Sequence, residues 1–162
     1  MTSQLGLHPS FAVIPLVSQS LTVFFAGVET TIFISFLRAA ETDHAAVQRT
    51  ARLWWKQWLP WGLSTIFAVT LPGICAGVYA ARQLPSDSLE WKLYAAGAAF
   101  GSGHFLAGPT ISKVIDKICD EEVEKSSETM KYIKRWLQVH TVRTLAADIP
   151  ALFCFAYLVF GK

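Results

Sequence analysis

Four long runs of apolar residues, separated by charged or turn-rich segments, dominate the pattern of this chain. The runs cover about residues 11–37, 58–81, 91–114 and 136–160. Each is long enough, at about 20 residues, for a helix to cross the hydrocarbon core of a bilayer. The pattern therefore predicts an all-α fold, an integral membrane four-helix bundle formed by a single transmembrane domain over residues 1–162.

The connections between the runs differ in charge and predict an orientation. The first and third connections, about residues 38–57 and 115–135 with the adjoining Lys113, hold ten of the 14 Lys and Arg residues. Because basic connections stay in the cytoplasm, we expect both termini on the non-cytoplasmic side. The apolar run that follows MTSQLGLHPS is longer than the core of a signal peptide, so we expect it to remain as a span. The chain is then a multi-pass protein, and we expect it in an endomembrane.

Composition agrees with this class. Charged residues make up 16% of the chain and the mean hydropathy is +0.37, whereas soluble domains carry about 25% charged residues. The net charge of +2 comes without a basic stripe or a reading motif, so no nucleic-acid partner is expected. The three cysteines show no spacing typical of a disulfide framework or a metal site.

Glycine pairs predict one close helix contact. Gly73 and Gly77 in the second run, and Gly97 and Gly101 in the third, are each four residues apart. Such spacing lets two backbones approach closely in a membrane, so a tight hairpin of spans two and three is expected. Prolines at 72, 109 and 150 are expected to kink or end their helices.

Ionisable residues inside the apolar runs are the main candidates for function. A charge near the centre of a membrane helix costs at least about 2.5 kcal/mol on insertion scales, so such groups usually face a protein interior or a watery cavity. Counted from the cytoplasmic ends at 1.5 Å per residue, Glu29 and His104 lie about 13 Å deep, His140 about 6 Å and Arg143 about 10 Å. Asp148 lies near the midplane at about 18 Å. We therefore expect these groups to converge in the cytoplasmic half of the bundle.

The last run adds a direction to this cluster. Trp136, His140 and Arg143 stand at positions i, i+4 and i+7, so they share one helical face. An indole, an imidazole and a guanidinium in line suit a planar, electron-rich, anionic ligand, because the ring stacks and the arginine donates in a fork.

Structural roles remain open for each group. Arg143 would be a structural clamp if it only formed an ion pair with Glu29 or Asp148. His140 would take no part in chemistry if its ring extended to the membrane–water interface. His104 would be structural if it bonded a carbonyl freed by Pro109. A protonated Glu29 bonded to a neighbouring helix is the corresponding alternative for that residue. A metal held by the two histidines and two carboxylates is disfavoured, because Glu-x-x-His pairs are missing and Arg143 would repel a cation.

Three segments carry a family resemblance. They are the aromatic stretch RLWWKQWLPWG at residues 52–62, the segment GHFLAGPT at 103–110 and the C-terminal Trp136-x-x-x-His140-x-x-Arg143. In these segments and in its four-span pattern, the chain resembles a family of small membrane proteins of unknown function that includes the fungal anthrone oxygenases of polyketide pathways.

The resemblance implies a membrane tailoring enzyme of secondary metabolism that oxidises a hydrophobic polyketide or related aromatic with O₂ as co-substrate and without flavin, haem or another cofactor. In such an enzyme His140 or His104 is the general base, Arg143 holds the substrate anion, and Glu29 or Asp148 orients an imidazole. The substrate-binding residues are then Trp136, Trp54, Trp55, Pro109 and Thr110.

Two other functional classes are alternatives to this interpretation. A membrane cyclase or isomerase would start proton-driven ring closure of a hydrophobic substrate from a protonated Asp148 or Glu29, without oxygen. A non-catalytic membrane scaffold would bind other pathway enzymes through the charged third connection, or associate with itself. In every case the lipid bilayer is a partner, and in the two enzyme classes a hydrophobic small molecule is the substrate.

Overall fold

The computed structural model describes residues 9–161, and the regular structure in that range is entirely helical, without a strand. The prediction of an all-α protein is thus confirmed. Residues 1–8 and Lys162, which belong to the termini predicted to be non-cytoplasmic, lie outside the described range. The α-helices are α1 (Val13–Ala39), α2 (His44–Arg82), α3 (Leu89–Gly103), α4 (Gly108–Ile118), α5 (Glu121–Lys125), α6 (Thr129–Arg143) and α7 (Ile149–Phe160).

Three helices within residues 9–161 are long and apolar enough to cross a membrane: α1, α2 and the continuous helix Thr129–Phe160 that α6 and α7 form together. With 39 residues, α2 is about 58 Å long, roughly twice the thickness of the hydrocarbon core. One end of α2 must therefore extend beyond any bilayer that its apolar part crosses.

The predicted third span is divided in the structure. Residues 89–118 run through α3, a 3₁₀ turn at His104–Ala107 and α4, so neither α-helix alone has spanning length. The turn ends just before Pro109, which occupies the first turn of α4, where a missing N–H is harmless. A π turn, Thr144–Asp148, similarly separates α6 from α7 ahead of Pro150.

The predicted connections turn out to be largely helical. α2 begins at His44, fourteen residues before the predicted span, and Asp43 caps it by accepting a hydrogen bond from the Ala46 N–H at 3.0 Å. The segment 115–135 contains the end of α4, all of α5 and the first turns of α6. Residues with high helix propensity, such as Ala, Gln, Glu, Lys and Arg, continue the helices past their apolar parts. A prediction based on runs of apolar residues does not detect these polar extensions.

Side chains on these extensions join them into one body. Arg52 on α2 forms an ion pair with Glu124, and the buried Gln48 accepts a hydrogen bond from the first N–H of α6, at Thr129, over 2.9 Å. Beneath these bonds lies an apolar core at this end of the bundle. Its buried residues are Phe33, Ala51, Trp55, Val114, Ile115, Ile118, Met130, Ile133 and Trp136.

A second apolar core fills the other end, and a buried polar layer separates the two. The second core consists of Ala80, Ala81, Tyr94, Ala151, Phe155 and Leu158. The polar layer consists of the buried residues Ser18, Gln19, Thr22, Thr70, His104, His140 and Asp148. Buried polar groups are stable only when they are hydrogen-bonded, so the bonds of this layer decide how the helices fit.

The glycine pairs make several contacts rather than one. A Cβ on Gly77 would lie 3.2 Å from Ala98 of α3, and one on Gly101 would lie 3.2 Å from Ile74 of α2, as expected for a tight hairpin. Gly73 instead faces Ser18 of α1, and Gly97 faces Phe155 of α7. Together the four glycines allow α1, α2, α3 and α7 to approach one another closely.

Pro72 does not end α2, which continues to Arg82. Ser18 of α1 reaches into the α2 backbone beside it, accepting a hydrogen bond from the Gly73 N–H at 2.9 Å and donating one to the Val69 carbonyl. The hydroxyl thus bridges two backbone groups that would otherwise bond each other. An interhelical side chain of this kind can re-satisfy a backbone that proline has disturbed, so the helix continues.

Candidate functional site

A cavity of about 230 Å³ lies between α1, α2, α4, α6 and the 3₁₀ turn that precedes α4. Its walls are mainly aromatic and aliphatic. The lining residues are Phe25, Glu29, Trp55, Trp58, Leu59, Gly62, Leu63, Ile66, Phe67, His104, Phe105, Gly108, Ile111, Ser112, Ile115, Asp116, Trp136 and Arg143. An apolar pocket with a few converging polar groups is the usual form of a small-molecule site.

The polar corner of the cavity contains a carboxylate–imidazole pair. His104 Nδ1 lies 2.8 Å from Asp148 Oδ1, and both side chains are almost fully buried. Since a carboxylate accepts, Nδ1 carries the hydrogen, and Nε2 is the ring nitrogen that retains a lone pair. This is the wiring that orients a histidine as a general base. Each partner sits where its helix departs from α geometry, in the 3₁₀ turn and in the π turn.

Arg143 approaches the same corner from α6. Its Nη2 donates to His140 Nδ1 at 2.9 Å, while its Nε lies 3.7 Å from Asp148 Oδ2, beyond hydrogen-bond distance. The opposite nitrogen of His140, Nε2, donates to the backbone carbonyl of Ala26 in α1 at 3.1 Å. The imidazole of His140 is therefore a neutral ring with a hydrogen on Nε2, and both of its nitrogens are occupied.

Glu29 completes the charged set. Its Oε2 lies 3.9 Å from His140 Nδ1, and its side chain lines the cavity next to Phe25 and Trp58. With Arg143 counted as a cation and both Glu29 and Asp148 as carboxylates, the cluster has one negative charge in excess.

A polar face of α1 supports the corner from behind. Gln19 donates to the backbone carbonyl of Asp148 at 3.1 Å, and the hydroxyls of Thr22 and Thr70 lie 3.0 Å apart. Both α1 residues are fully buried. This face was not predicted from the sequence, although a signal existed: positions 19, 22, 26, 29 and 33 recur every three or four residues on one side of the helix.

Five of the ten residues predicted for the site line the cavity: Glu29, His104, Arg143, Trp55 and Trp136. Two more, His140 and Asp148, lie directly behind them and bond Arg143 and His104.

The remaining three lie elsewhere. Trp54 stacks on Trp58, with ring centres 5.4 Å apart, and is absent from the cavity wall, whereas Pro109 and Thr110 are exposed on the outer side of α4. The positions of α4 that do face the cavity are Gly108, Ile111, Ser112, Ile115 and Asp116.

The aromatic residues are packed on one another more than the sequence indicates. Trp136 is 3% exposed and stacks on His140, with ring centres 4.4 Å apart. It also contacts Phe33 on α1, with ring centres 4.5 Å apart. Trp55 stacks on the same Phe33 at 4.9 Å. Only the cavity-facing edges of these rings are left for a ligand, so Trp58, which was not predicted as a site residue, is an equal candidate for contact.

A wider groove of about 960 Å³ runs along the outside of the bundle between α3 and α6, lined mainly by small apolar residues. Arg143 contributes to the walls of both the groove and the cavity. Within residues 9–161, no three His, Cys, Asp or Glu side chains are grouped as a metal site.

Comparisons with protein-family models, with curated proteins and with solved structures each gave no match for this chain. The interpretation of the site therefore rests on its residues and geometry.

Proposed function

We propose that the chain is an integral protein of an endomembrane with four spans. Residues 89–118 make the third crossing, and both termini lie on the non-cytoplasmic side. This segment of 30 residues is about 45 Å long as a helix, and its two halves pack against the neighbouring long helices. Large apolar side chains cover the outside of the bundle, as a lipid environment requires. Those at least 70% exposed include Phe24, Trp61, Leu106, Phe153 and Phe160.

We further propose that the cavity is the active site of an anthrone-oxygenase-like tailoring enzyme that works without flavin or haem. The observation that carries this proposal is the His104–Asp148 pair, in which Nε2 of His104 is free and His104 lines a mainly apolar cavity together with Arg143. A base, a cation and an aromatic wall are together what the deprotonation of a weakly acidic aromatic substrate needs.

The reaction can be written with its atoms balanced. His104 Nε2 takes one proton from the methylene carbon of an anthrone, and the electron pair delocalises onto the carbonyl oxygen, where Arg143 stabilises the negative charge. The carbanion reduces O₂ and forms a C–O bond, and the resulting peroxide takes the proton back from His104. Loss of the second methylene hydrogen from carbon then breaks the O–O bond, which releases water and leaves the quinone carbonyl. In sum, one anthrone and one O₂ give one anthraquinone and one water, so O₂ is the only oxidant.

The size of the cavity bears on the substrate. Pockets for drug-sized ligands usually measure about 300–1,000 Å³, and this cavity is smaller at about 230 Å³. A fused aromatic would therefore enter with its central ring, which carries the methylene and the carbonyl, and the outer rings would lie between α2 and α4. The exposed Ser112 and Asp116 line the cavity wall on α4, where they are able to accept hydrogen bonds from phenolic hydroxyls.

A second candidate is a cyclase or isomerase that adds a proton to a hydrophobic substrate. It is favoured by Glu29, a carboxyl group in a wall that includes Phe25 and Trp58, since such surroundings stabilise a protonated acid. This chemistry consumes no oxygen, so oxygen uptake separates the two enzyme classes.

The test is simultaneous measurement of oxygen uptake and quinone absorbance with an anthrone and membranes that contain the protein. Membranes without the protein provide the rate of autoxidation. We expect faster quinone formation with one O₂ consumed per quinone, and loss of the increase in His104→Gln. No acceleration above the blank would exclude anthrones as substrates. Substrate conversion without oxygen uptake would support the cyclase, and an unchanged rate per molecule in His104→Gln would support a scaffold or a different site.

A further inference from the structure

We propose that His140 is a positioning residue: it holds the guanidinium of Arg143 ready for a substrate anion and exchanges no proton with the substrate. The catalytic consequence rests on the proposed function, whereas the positioning itself does not. Four features of the structure lead to this inference, and a pair of matched variants tests it.

Both ring nitrogens of His140 are already bonded inside the protein. Nε2–H donates to the Ala26 carbonyl at 3.1 Å, and Nδ1 accepts from Arg143 Nη2 at 2.9 Å. A general base needs a lone pair directed at the substrate, and the lone pair of this ring is directed at a guanidinium. The side chain is only 1% exposed and is not part of the cavity wall.

The ring is held firmly enough to fix what it bonds. It stacks on Trp136, with centres 4.4 Å apart and planes inclined by 18°, and Trp136 in turn packs against Phe33 of α1. The bond to Ala26 ties the same ring to the backbone of α1. A neighbour immobilised by packing and by a second hydrogen bond is what keeps a functional group in its productive geometry.

Arg143 has little else to hold it. Within residues 9–161, the bond to His140 is the one hydrogen bond that its guanidinium makes, since the Nε atom is buried without a partner and lies 3.7 Å from Asp148. Two carboxylates lie near it without a hydrogen bond to it: Asp148 at 3.7 Å, and Glu29 in the same cavity wall. Without His140, the guanidinium would move between these two carboxylates, since in the structure it is hydrogen-bonded to neither of them.

The neutrality of the imidazole matters for the same reason. A carboxylate in this position would hold Arg143 equally well but would cancel its charge. A neutral acceptor fixes the guanidinium and leaves its positive charge to stabilise an anion in the cavity, where the low dielectric makes that interaction strong.

Two isosteric variants separate the two hydrogen bonds. The amide nitrogen of Gln reaches the position of Nε2, so His140→Gln keeps a donor for Ala26 and loses the acceptor for Arg143. The amide oxygen of Asn reaches the position of Nδ1, so His140→Asn keeps the acceptor and loses the donor. The second loss is mild, because the Ala26 carbonyl also accepts from the Thr30 hydroxyl at 2.9 Å.

The decisive experiment observes Arg143 directly in protein labelled with ¹⁵N-arginine and reconstituted in lipid nanodiscs. Separate Nη signals report a guanidinium with restricted rotation, and the signal missing in Arg143→Lys gives the assignment. We expect separate signals in the wild type and in His140→Asn, and merged signals in His140→Gln. Separate signals in His140→Gln, or merged ones in His140→Asn, would overturn the inference whether or not the protein oxidises anthrones.

Turnover of an anthrone by the same preparations gives the functional readout. We expect His140→Asn to keep most of the wild-type kcat/KM and His140→Gln to lose about tenfold, the effect of roughly one hydrogen bond. A His140→Asn variant that has a restrained Arg143 but no turnover would make His140 a catalytic residue and refute the positioning role. A wild type without turnover would end the proposed function, and the NMR signals would still decide the role of His140.

Discussion

At the scale of single residues, the two buried histidines differ in which ring nitrogen carries the hydrogen, and their partners determine this. Asp148 accepts from His104 at Nδ1, which leaves Nε2 able to take a proton. A backbone carbonyl accepts from His140 at Nε2, and Arg143 donates to its Nδ1, so that ring has no free lone pair. Two identical side chains in one polar layer are thus suited to different tasks, one to proton transfer and the other to support.

Replacing Asp148 by asparagine tests the wiring of His104. The amide of the new side chain would donate to Nδ1, and the hydrogen of the imidazole would move to Nε2, which removes the lone pair from the cavity. We expect the turnover of an anthrone by Asp148→Asn, measured as oxygen uptake, to fall by about 10²–10⁴-fold, which is the range of general-base catalysis. Asp87→Asn, in the exposed turn between α2 and α3, is the control. Full activity of Asp148→Asn would exclude His104 as an oriented base.

Replacing Arg143 tests the anion site. Arg143→Ala removes the cation that faces the substrate, and we expect a fall of about 10²–10³-fold in kcat/KM, as for the loss of one oxyanion donor. Arg143→Lys keeps the charge without the planar fork and should fall between Arg143→Ala and wild type.

Protein level must be measured alongside, because removing the cation leaves two carboxylates in the interior without a neighbouring positive charge. Arg135→Ala, on the exposed side of the same helix, serves as the control. Activity per molecule that is unchanged in Arg143→Ala would make Arg143 a structural clamp.

At the scale of elements, the site forms where two helical segments leave regular α geometry. His104 begins the 3₁₀ turn between α3 and α4, and Asp148 ends the π turn between α6 and α7. The 2.8 Å bond between them joins the two irregular turns. Because a π turn adds a residue and rotates the next part of the helix, Asp148 can face His104 while Arg143 faces the cavity. Short π segments are often found at functional sites for this reason.

The contact between α1 and α2 provides a prediction on stability. An alanine at Gly73 would place its Cβ 2.6 Å from Ser18 Oγ and 2.8 Å from Ser18 Cβ. The hydroxyl can rotate away but the Cβ cannot, so the helices must separate and the bond to the Gly73 N–H is lost. We expect Gly73→Ala to destabilise the fold by about 1–3 kcal/mol, the usual effect of overpacking.

Thermal unfolding in detergent, followed by circular dichroism, measures the effect. Gly27→Ala in α1 is the matched control, since a Cβ there meets nothing within 4 Å and alanine is the better helix former by about 1 kcal/mol. Equal melting temperatures for the two variants would mean that the close approach at Gly73 is not needed.

At the scale of the whole molecule, the sequence predicts the helical class and many of the residues of the candidate site, but not the hydrogen bonds between them. Apolar runs identify the helices because burial in lipid or in a bundle demands them, and they miss polar extensions such as the start of α2. Counting 1.5 Å per residue gives the depth of a residue along its helix but not the direction in which its side chain points. The common depth of Glu29, His104 and Arg143 could therefore be predicted, whereas the exposure of Pro109 could not. The roles of His140 and Asp148 depend on the π turn and on side-chain rotamers, which no periodicity encodes.

The path of residues 89–118 decides the topology of the whole chain. If this segment crosses the bilayer, the turn between α2 and α3 and the short helix α5 lie on opposite sides of the membrane; if it does not, they lie on the same side.

In a background with Cys75, Cys119 and Cys154 replaced by serine, single cysteines at Ser86 and Glu122, both exposed, can be labelled with a membrane-impermeant maleimide in sealed vesicles. We expect Glu122→Cys to react only from the cytoplasmic side, which the basic connections favour, and Ser86→Cys only from the other. Reaction of both from one side would reduce the crossings to three, place the C-terminus on the opposite side of the membrane, and leave the His104–Asp148 pair joining a re-entrant helix to a true span.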